Sequence, residues 1–168
     1  MNQTTAIKNP HLGFLTVFEV PAAGFGGGLL VTSCKGRPVE FHCTAPVNAN
    51  RAQEILYGKT LRSFLFCDQI GIALIEKAST SLDVVVTDTA EMTDLYTSVN
   101  IPFALVDLDA TVTANDPLVQ INAHISKLVS ANADQTLQVL SQFTETLPLT
   151  EPFERIQQAI AEAHKVAA

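Results

Sequence analysis

The chain has 168 residues, with Lys+Arg 10 against Asp+Glu 17, a formal net charge of −7, and 47% hydrophobic against 16% charged residues. That is too apolar and too weakly charged for a disordered chain, and long enough for one domain with its own core, since domains most often run about 100–150 residues. The acidic balance argues against a surface that grips nucleic acid along its whole face, because the phosphate backbone demands a basic one, so nucleic acid is not the expected partner.

Residues 1–11 are polar and are expected to form a flexible N-terminus ahead of a single domain over residues 12–168. Leu12–Val20 (LGFLTVFEV) carries apolar residues at both parities up to Glu19, the pattern of a strand covered on both faces. Pro21–Gly28 (PAAGFGGG) reads as a turn or flexible loop, followed by a second strand at Leu29–Ser33 and a tight turn at Lys35–Pro38. In the third strand, Val39–Thr44, Val39, Phe41 and Cys43 share one face while Glu40, His42 and Thr44 share the other. Asn50 is placed as a helix N-cap with Gln53 at the capping-box position, and Gly58 closes that first helix. Thr60 starts a longer helix through Lys77. Asp83–Asp88 (DVVVTD) is a short β-branched run suited to a parallel strand. A short helix near Glu91–Ser98 and a strand at Phe103–Asp107 follow. From about Pro117 to Ala168 the chain reads as helices, one of them carrying Leu118, Ile121, Ile125, Leu128 and Val129 at helical spacing, with a break at Leu147–Pro148.

These elements describe an α/β domain with a mixed sheet: an N-terminal three-stranded antiparallel meander, then helices and parallel strands, then a helical C-terminal segment. Over Leu12–Asp107 that order resembles the ribonuclease H-like fold, and a profilin- or longin-like sheet opening fits the first half as well. The ribonuclease H-like resemblance implies an acidic site. In such nucleases, carboxylates from the first strand, the first helix, the next parallel strand and a later element hold two divalent ions that activate water and stabilise the leaving oxygen. The nearest residues here are Glu19, Glu54, Asp88 and one of Asp107, Asp109 or Asp116, with Glu54 and Asp88 the catalytic candidates. Glu19 lies near the end of its strand, and the body of that strand carries no carboxylate. Solvated helix and strand-end carboxylates are the plainer account of the same residues.

Other constellations are weaker. Cys34, His42, Cys43 and Cys67 lack the paired spacing of a zinc site, and His42 and Cys43 are strand neighbours that point to opposite faces. Among the thiols, Cys43 and Cys67 look like core and Cys34, beside a turn, like the exposed one. Gly24–Gly28 is glycine-rich but lacks the strand-to-helix context of a phosphate loop. Between Asp83 and Asp116 there are seven acids and no Lys or Arg, an acidic edge suited to a cation, a basic partner or simple solubility. The strand-to-helix corner Arg37–Gly58 gathers the binding candidates His42, Cys43, Arg51 and Tyr57. Its simplest structural account has Asn50 capping, Tyr57 packing and Arg51 solvated.

An odd number of cysteines, with no apolar stretch long enough to span a bilayer, points to a reduced, cytoplasmic setting. The weakly charged C-terminal helices suggest a surface covered by another chain. The expected function is therefore a non-catalytic intracellular protein acting through protein–protein association, as a homo-oligomer or a subunit, without a cofactor. The alternative is a divalent-metal-dependent nuclease or hydrolase with a ribonuclease H-like carboxylate site.

Overall fold

The structure, a computed structural model, describes residues 5–110, 121 and 124–167. Apolar residues on both sides place β1 (His11–Val20) near the middle of the sheet, and a turn at residues 21–23 returns it antiparallel into β2 (Gly24–Ser33). That turn sets Ala22 at φ 61° and Gly24 at φ 104°. β2 pairs antiparallel with β3 (Pro38–Cys43), and β1 pairs parallel with β4 (Val84–Thr87), which pairs parallel with β5 (Phe103–Val106). β6 (Ile125–Val129) closes the far edge antiparallel to β5, giving six strands in the order β3-β2-β1-β4-β5-β6. The meander and the parallel strands stand as the sequence indicates.

Asn50 caps α1 (Arg51–Tyr57) through a full capping box, its side chain accepting from the Gln53 amide at 2.9 Å and its own amide donating to Gln53 at 3.1 Å. A 3-10 turn at Gly58–Thr60 leads into α2 (residues 61–77), in which π-helical Phe64–Gly71 lies between α-helical Leu61–Ser63 and Ile72–Lys77. After β4, a 3-10 turn at Ala90–Leu95 runs into α3 (Tyr96–Val99). α4 (Ala133–Thr144) and α5 (Glu151–Ala167) follow β6.

Two apolar layers sandwich the sheet. On one face Leu12, Phe14, Val84 and Val86 pack against Phe143, Phe153 and Ile156 of α4 and α5. On the other, Leu15, Val31, Val85 and Phe103 pack against Phe66, Ile70 and Leu74 of α2. No helix among the described residues is long and apolar enough to cross a membrane.

Three expectations change. The glycines at 26–28 are not loop but strand: a Cβ on Gly28 would meet Ile156 of α5 at 2.7 Å, and one on Gly27 would meet Ile70 and Leu74 of α2. Their small size, not flexibility, is what the packing uses, because it lets helices seat closely on both faces. Ile125–Val129 is strand, not helix. Its apolar residues fit either period over so short a run, and pairing with β5 satisfies backbone groups that an open edge would leave free. Leu118 of the same expected helix lies outside the described residues.

Cys43 is exposed at the sheet edge instead of buried, and Cys34 is half-buried, while Cys67 is core as expected. β3 is the edge strand, so Val39 and Phe41, which share Cys43's face, are also exposed. What fastens this edge is polar. Glu40 accepts from the Ser79 and Thr80 amides at 3.0 and 2.6 Å, from the Thr80 hydroxyl, and from His42 at 2.7 Å, tying β3 to the loop between α2 and β4. His42 first, then Thr80 and Ser79, hold the Glu40 carboxyl down at about 2.

Candidate functional site

The parallel register sets Leu12 through Leu15 of β1 against Val84 through Thr87 of β4, so the next residues along the two strands are Thr16 and Asp88. They meet: the Thr16 hydroxyl donates to Asp88 Oδ2 at 3.0 Å, and the Thr89 hydroxyl donates to Asp88 Oδ1 at 3.1 Å. Burial pushes the Asp88 carboxyl above the ordinary aspartate range, and the two hydroxyls, which favour the charged form, pull it only part of the way back. A partly buried acid at the carboxyl end of a parallel strand is where ligands of open α/β sheets are met.

Asp88 opens onto a cleft of about 320 Å³ between the ends of β1 and β4 and the outer half of α5. Thr16, Phe18 and Asp88 form the strand wall, and Gln157, Ile160 and His164 form the helix wall. Gln157 and His164 are two turns apart on α5, so both fall on one side of the helix. The cleft is apolar along its sides, with two acids (Asp88 and Glu19), an amide and an imidazole spaced around it.

A second cleft of about 470 Å³ lies around the same strand ends and is lined by Glu19, Arg62, Phe66, Asp88, Thr89 and Glu91. The two clefts meet at the strand ends: Glu19 and Asp88 line both, whereas Thr16 and His164 line only the first and Glu91 only the second. Arg62 is engaged there, in an ion pair with Glu91 and 4.4 Å over the Phe66 ring.

The other residues singled out by sequence lie apart. Glu54 is on the outer side of α1, paired with an exposed Arg51 at 3.1 Å, and lines neither cleft around Asp88. Asp107 and Asp109 are exposed beyond β5, where the Asp107 carboxylate accepts from the Asp109 amide. Asp116 lies outside the described residues. His42 is committed to Glu40, and Tyr57 stacks on Phe64 with ring centroids 4.1 Å apart beside a third cleft that also contains Cys67 and Asp94. Cys43 sits at the end of the edge strand, so the four binding candidates of the strand-to-helix corner are not gathered in one cleft. The buried Cys67 thiol donates to the Glu91 carbonyl at 2.9 Å, and burial, then Asp94, pushes it up to about 11, which keeps it a thiol.

The carboxylates named from sequence are only partly brought together among the described residues. Asp88 accepts from the Thr16 hydroxyl of β1, Glu19 lines both clefts with it, and Glu54 is paired with an arginine elsewhere. Among the described residues no three His, Cys, Asp or Glu side chains converge to hold an ion. Sequence reasoning singled out Asp88 but not Thr16, Gln157 or His164, which line the same cleft. The available signals were a lone hydroxyl inside an otherwise apolar strand, and two polar residues at i and i+7 on an amphipathic helix.

The weakly charged C-terminal helices also find their explanation here. Val139, Leu140, Phe143, Phe153 and Ile156 of α4 and α5 are buried against the chain's own sheet, so these helices need no second chain to cover them.

No family model and no curated protein sequence matches the chain. Among solved structures it is similar to an endonuclease V variant from Ciona intestinalis, in complex with a 23mer DNA containing an inosine followed by a ribo-adenosine. The two superpose with a TM-score of 0.51 at 11% identity, over 96% of this chain and 88% of that one. This likeness corrects two expectations: the reading as a non-catalytic association protein, and the exclusion of nucleic acid on grounds of net charge. Net charge speaks only to sequence-independent attraction over a whole surface, whereas a protein of this architecture is seen with DNA bound. What the likeness shows of the chain itself is its fold, a mixed α/β sheet of the ribonuclease H-like type with a helical C-terminus.

Proposed function

We propose that this chain acts on nucleic acid, with a strand lying across the carboxyl ends of β1 and β4 and entering the cleft between Asp88 and α5. The observation that carries the reading is the likeness, over nearly the whole chain, to an endonuclease V that holds DNA. It is supported by the one partly buried acid of the sheet lying at those strand ends, beside a cleft whose apolar walls and separate polar groups suit a base or sugar. Of the expectations drawn from sequence, the nuclease alternative is the nearer one.

The charge pattern sets how such binding behaves. No Lys or Arg lines the cleft beside Asp88, and Arg62, Arg155, Arg51 and Lys165 are engaged with carboxylates, so the proposed site offers few cations to displace counterions. Affinity for a single strand is therefore expected to fall less than about tenfold between about 50 and 200 mM salt, against about 10³–10⁵ for proteins making many phosphate contacts. Ala161 is exposed on the cleft wall, and Ala161→Glu places a bulky anion there without disturbing the core. Fluorescence anisotropy with a labelled mixed-sequence oligonucleotide is expected to show a loss of about tenfold or more in this variant. Unchanged affinity in Ala161→Glu, or no binding by the parent protein, would overturn the proposal.

A further inference from the structure

We infer that Asp88 and His164 form a general acid–base pair that cleaves RNA, and not DNA, by activating the ribose 2′-hydroxyl across the cleft. The inference rests on the proposed nucleic-acid site and names its substrate class and reaction. Its starting point is what the cleft holds: the partly buried Asp88 carboxyl and the exposed Glu19 carboxylate on the strand wall and an imidazole on the helix wall, in a space of about 320 Å³, the size of a nucleotide-scale pocket. Two-ion hydrolysis makes its nucleophile from water at the metal, and among the described residues no three ligating side chains converge to hold an ion. The chemistry these residues supply by themselves is proton transfer, which acts on a nucleophile that the substrate already carries next to its phosphorus. In RNA that is the 2′-hydroxyl, which DNA lacks.

The step balances without a further reactant. One of the pair takes the proton of the 2′-hydroxyl as its oxygen bonds to phosphorus, the bond from phosphorus to the 5′-oxygen breaks, and the other gives its proton to that oxygen. The products are a 2′,3′-cyclic phosphate and a 5′-hydroxyl. Asp88 suits one role by position: each of its oxygens accepts a single hydroxyl hydrogen bond, from Thr16 or Thr89, and keeps a lone pair free for a proton. Its burial, which favours the protonated form, fits the same duty. His164 suits the other, since imidazole is the side chain that exchanges protons near neutral pH. Gln157, on the helix wall with His164, has amide hydrogens to offer a phosphoryl oxygen. Thr16 is a positioning residue that aims the carboxyl.

The test uses the full chain with a short mixed-sequence RNA, its DNA counterpart and its 2′-O-methyl counterpart, in buffer containing EDTA. RNA is expected to be cut, with cyclic-phosphate ends identified by mass spectrometry, while the DNA and 2′-O-methyl strands are bound and left intact. His164→Gln, at an exposed helix position that leaves the fold in place, and Asp88→Asn are each expected to slow cleavage by about 100-fold or more, with RNA affinity changed only a few-fold. RNA that is bound but intact in EDTA, DNA cut as readily as RNA, or full cleavage by His164→Gln would overturn the acid–base pair while leaving the binding proposal standing. Absence of binding to all three strands would overturn the binding proposal, and this one with it.

Discussion

Replacing Asp88 by asparagine is expected to stabilise the protein at pH 7–8, by on the order of 1 kcal/mol, seen as a rise of about 2–4 °C in Tm. The carboxyl lies beside the end of the sheet, where burial raises its proton affinity above that of the unfolded chain. An acid so shifted costs the native state free energy wherever it is ionised, and that cost disappears as the pH falls through its native value. Asparagine is isosteric, still accepts from a hydroxyl, and carries no charge to desolvate. The gain should therefore shrink on acidification, as the parent's Asp88 protonates. A residue that the fold is better off without is one held for function, and the loss of RNA cleavage in the same variant completes the argument. Thermal melts of both proteins across pH decide it; a variant less stable than its parent at neutral pH would contradict this account.

Glu40 gives the opposite sign. Its native value of about 2 lies below the ordinary 4.5, because His42, Thr80 and Ser79 donate to its charged form. The stability it contributes is fully present above the unfolded value and is lost as pH falls from about 4.5 toward 2. Glu40→Gln should flatten that acid limb of the pH profile and leave the trend assigned to Asp88 in place.

The second large effect falls on the glycine run of β2. A Cβ at Gly27 would approach Leu74 Cδ1 at 2.9 Å and run into the Ile70 side chain, and both neighbours are fully buried. Gly27→Ala is expected to cost about 1–3 kcal/mol, a fall of several degrees in Tm, with Gly27→Val costing more. Chemical denaturation, followed by far-UV circular dichroism, measures this directly. A neutral Gly27→Ala would mean that α2 does not sit on β2 as closely as the geometry requires.

These residues also show what a single sequence makes legible. β1, β3, β4 and β5, the Asn50 cap and the core position of Cys67 were readable because each is decided by local patterning: two-faced apolarity, alternation, a capping pair. The site was not, because it is decided by register. Thr16 and Asp88 are 72 positions apart, and only the offset between β1 and β4 makes them partners. The same strand ends bring Glu19 to both clefts that Asp88 lines, which no count of carboxylates reveals. The glycines of β2 read as loop because their role is to be small beneath two helices from distant parts of the chain. β6 read as helix because five residues cannot distinguish a period of 3.6 from a period of 2. The weak charge on α4 and α5 looked like a surface awaiting a partner until those helices were placed on their own sheet.

The central claim is that nucleic acid meets this protein at the cleft between Asp88 and α5. Amide correlation NMR of the labelled protein, titrated with a single-stranded oligonucleotide, tests it most directly. The account predicts shifts concentrated at residues 16–21, 88–89 and 156–164, with the Glu40 clamp and α1 unmoved. Shifts confined to α1 and the β3 edge, or none at all, would contradict it.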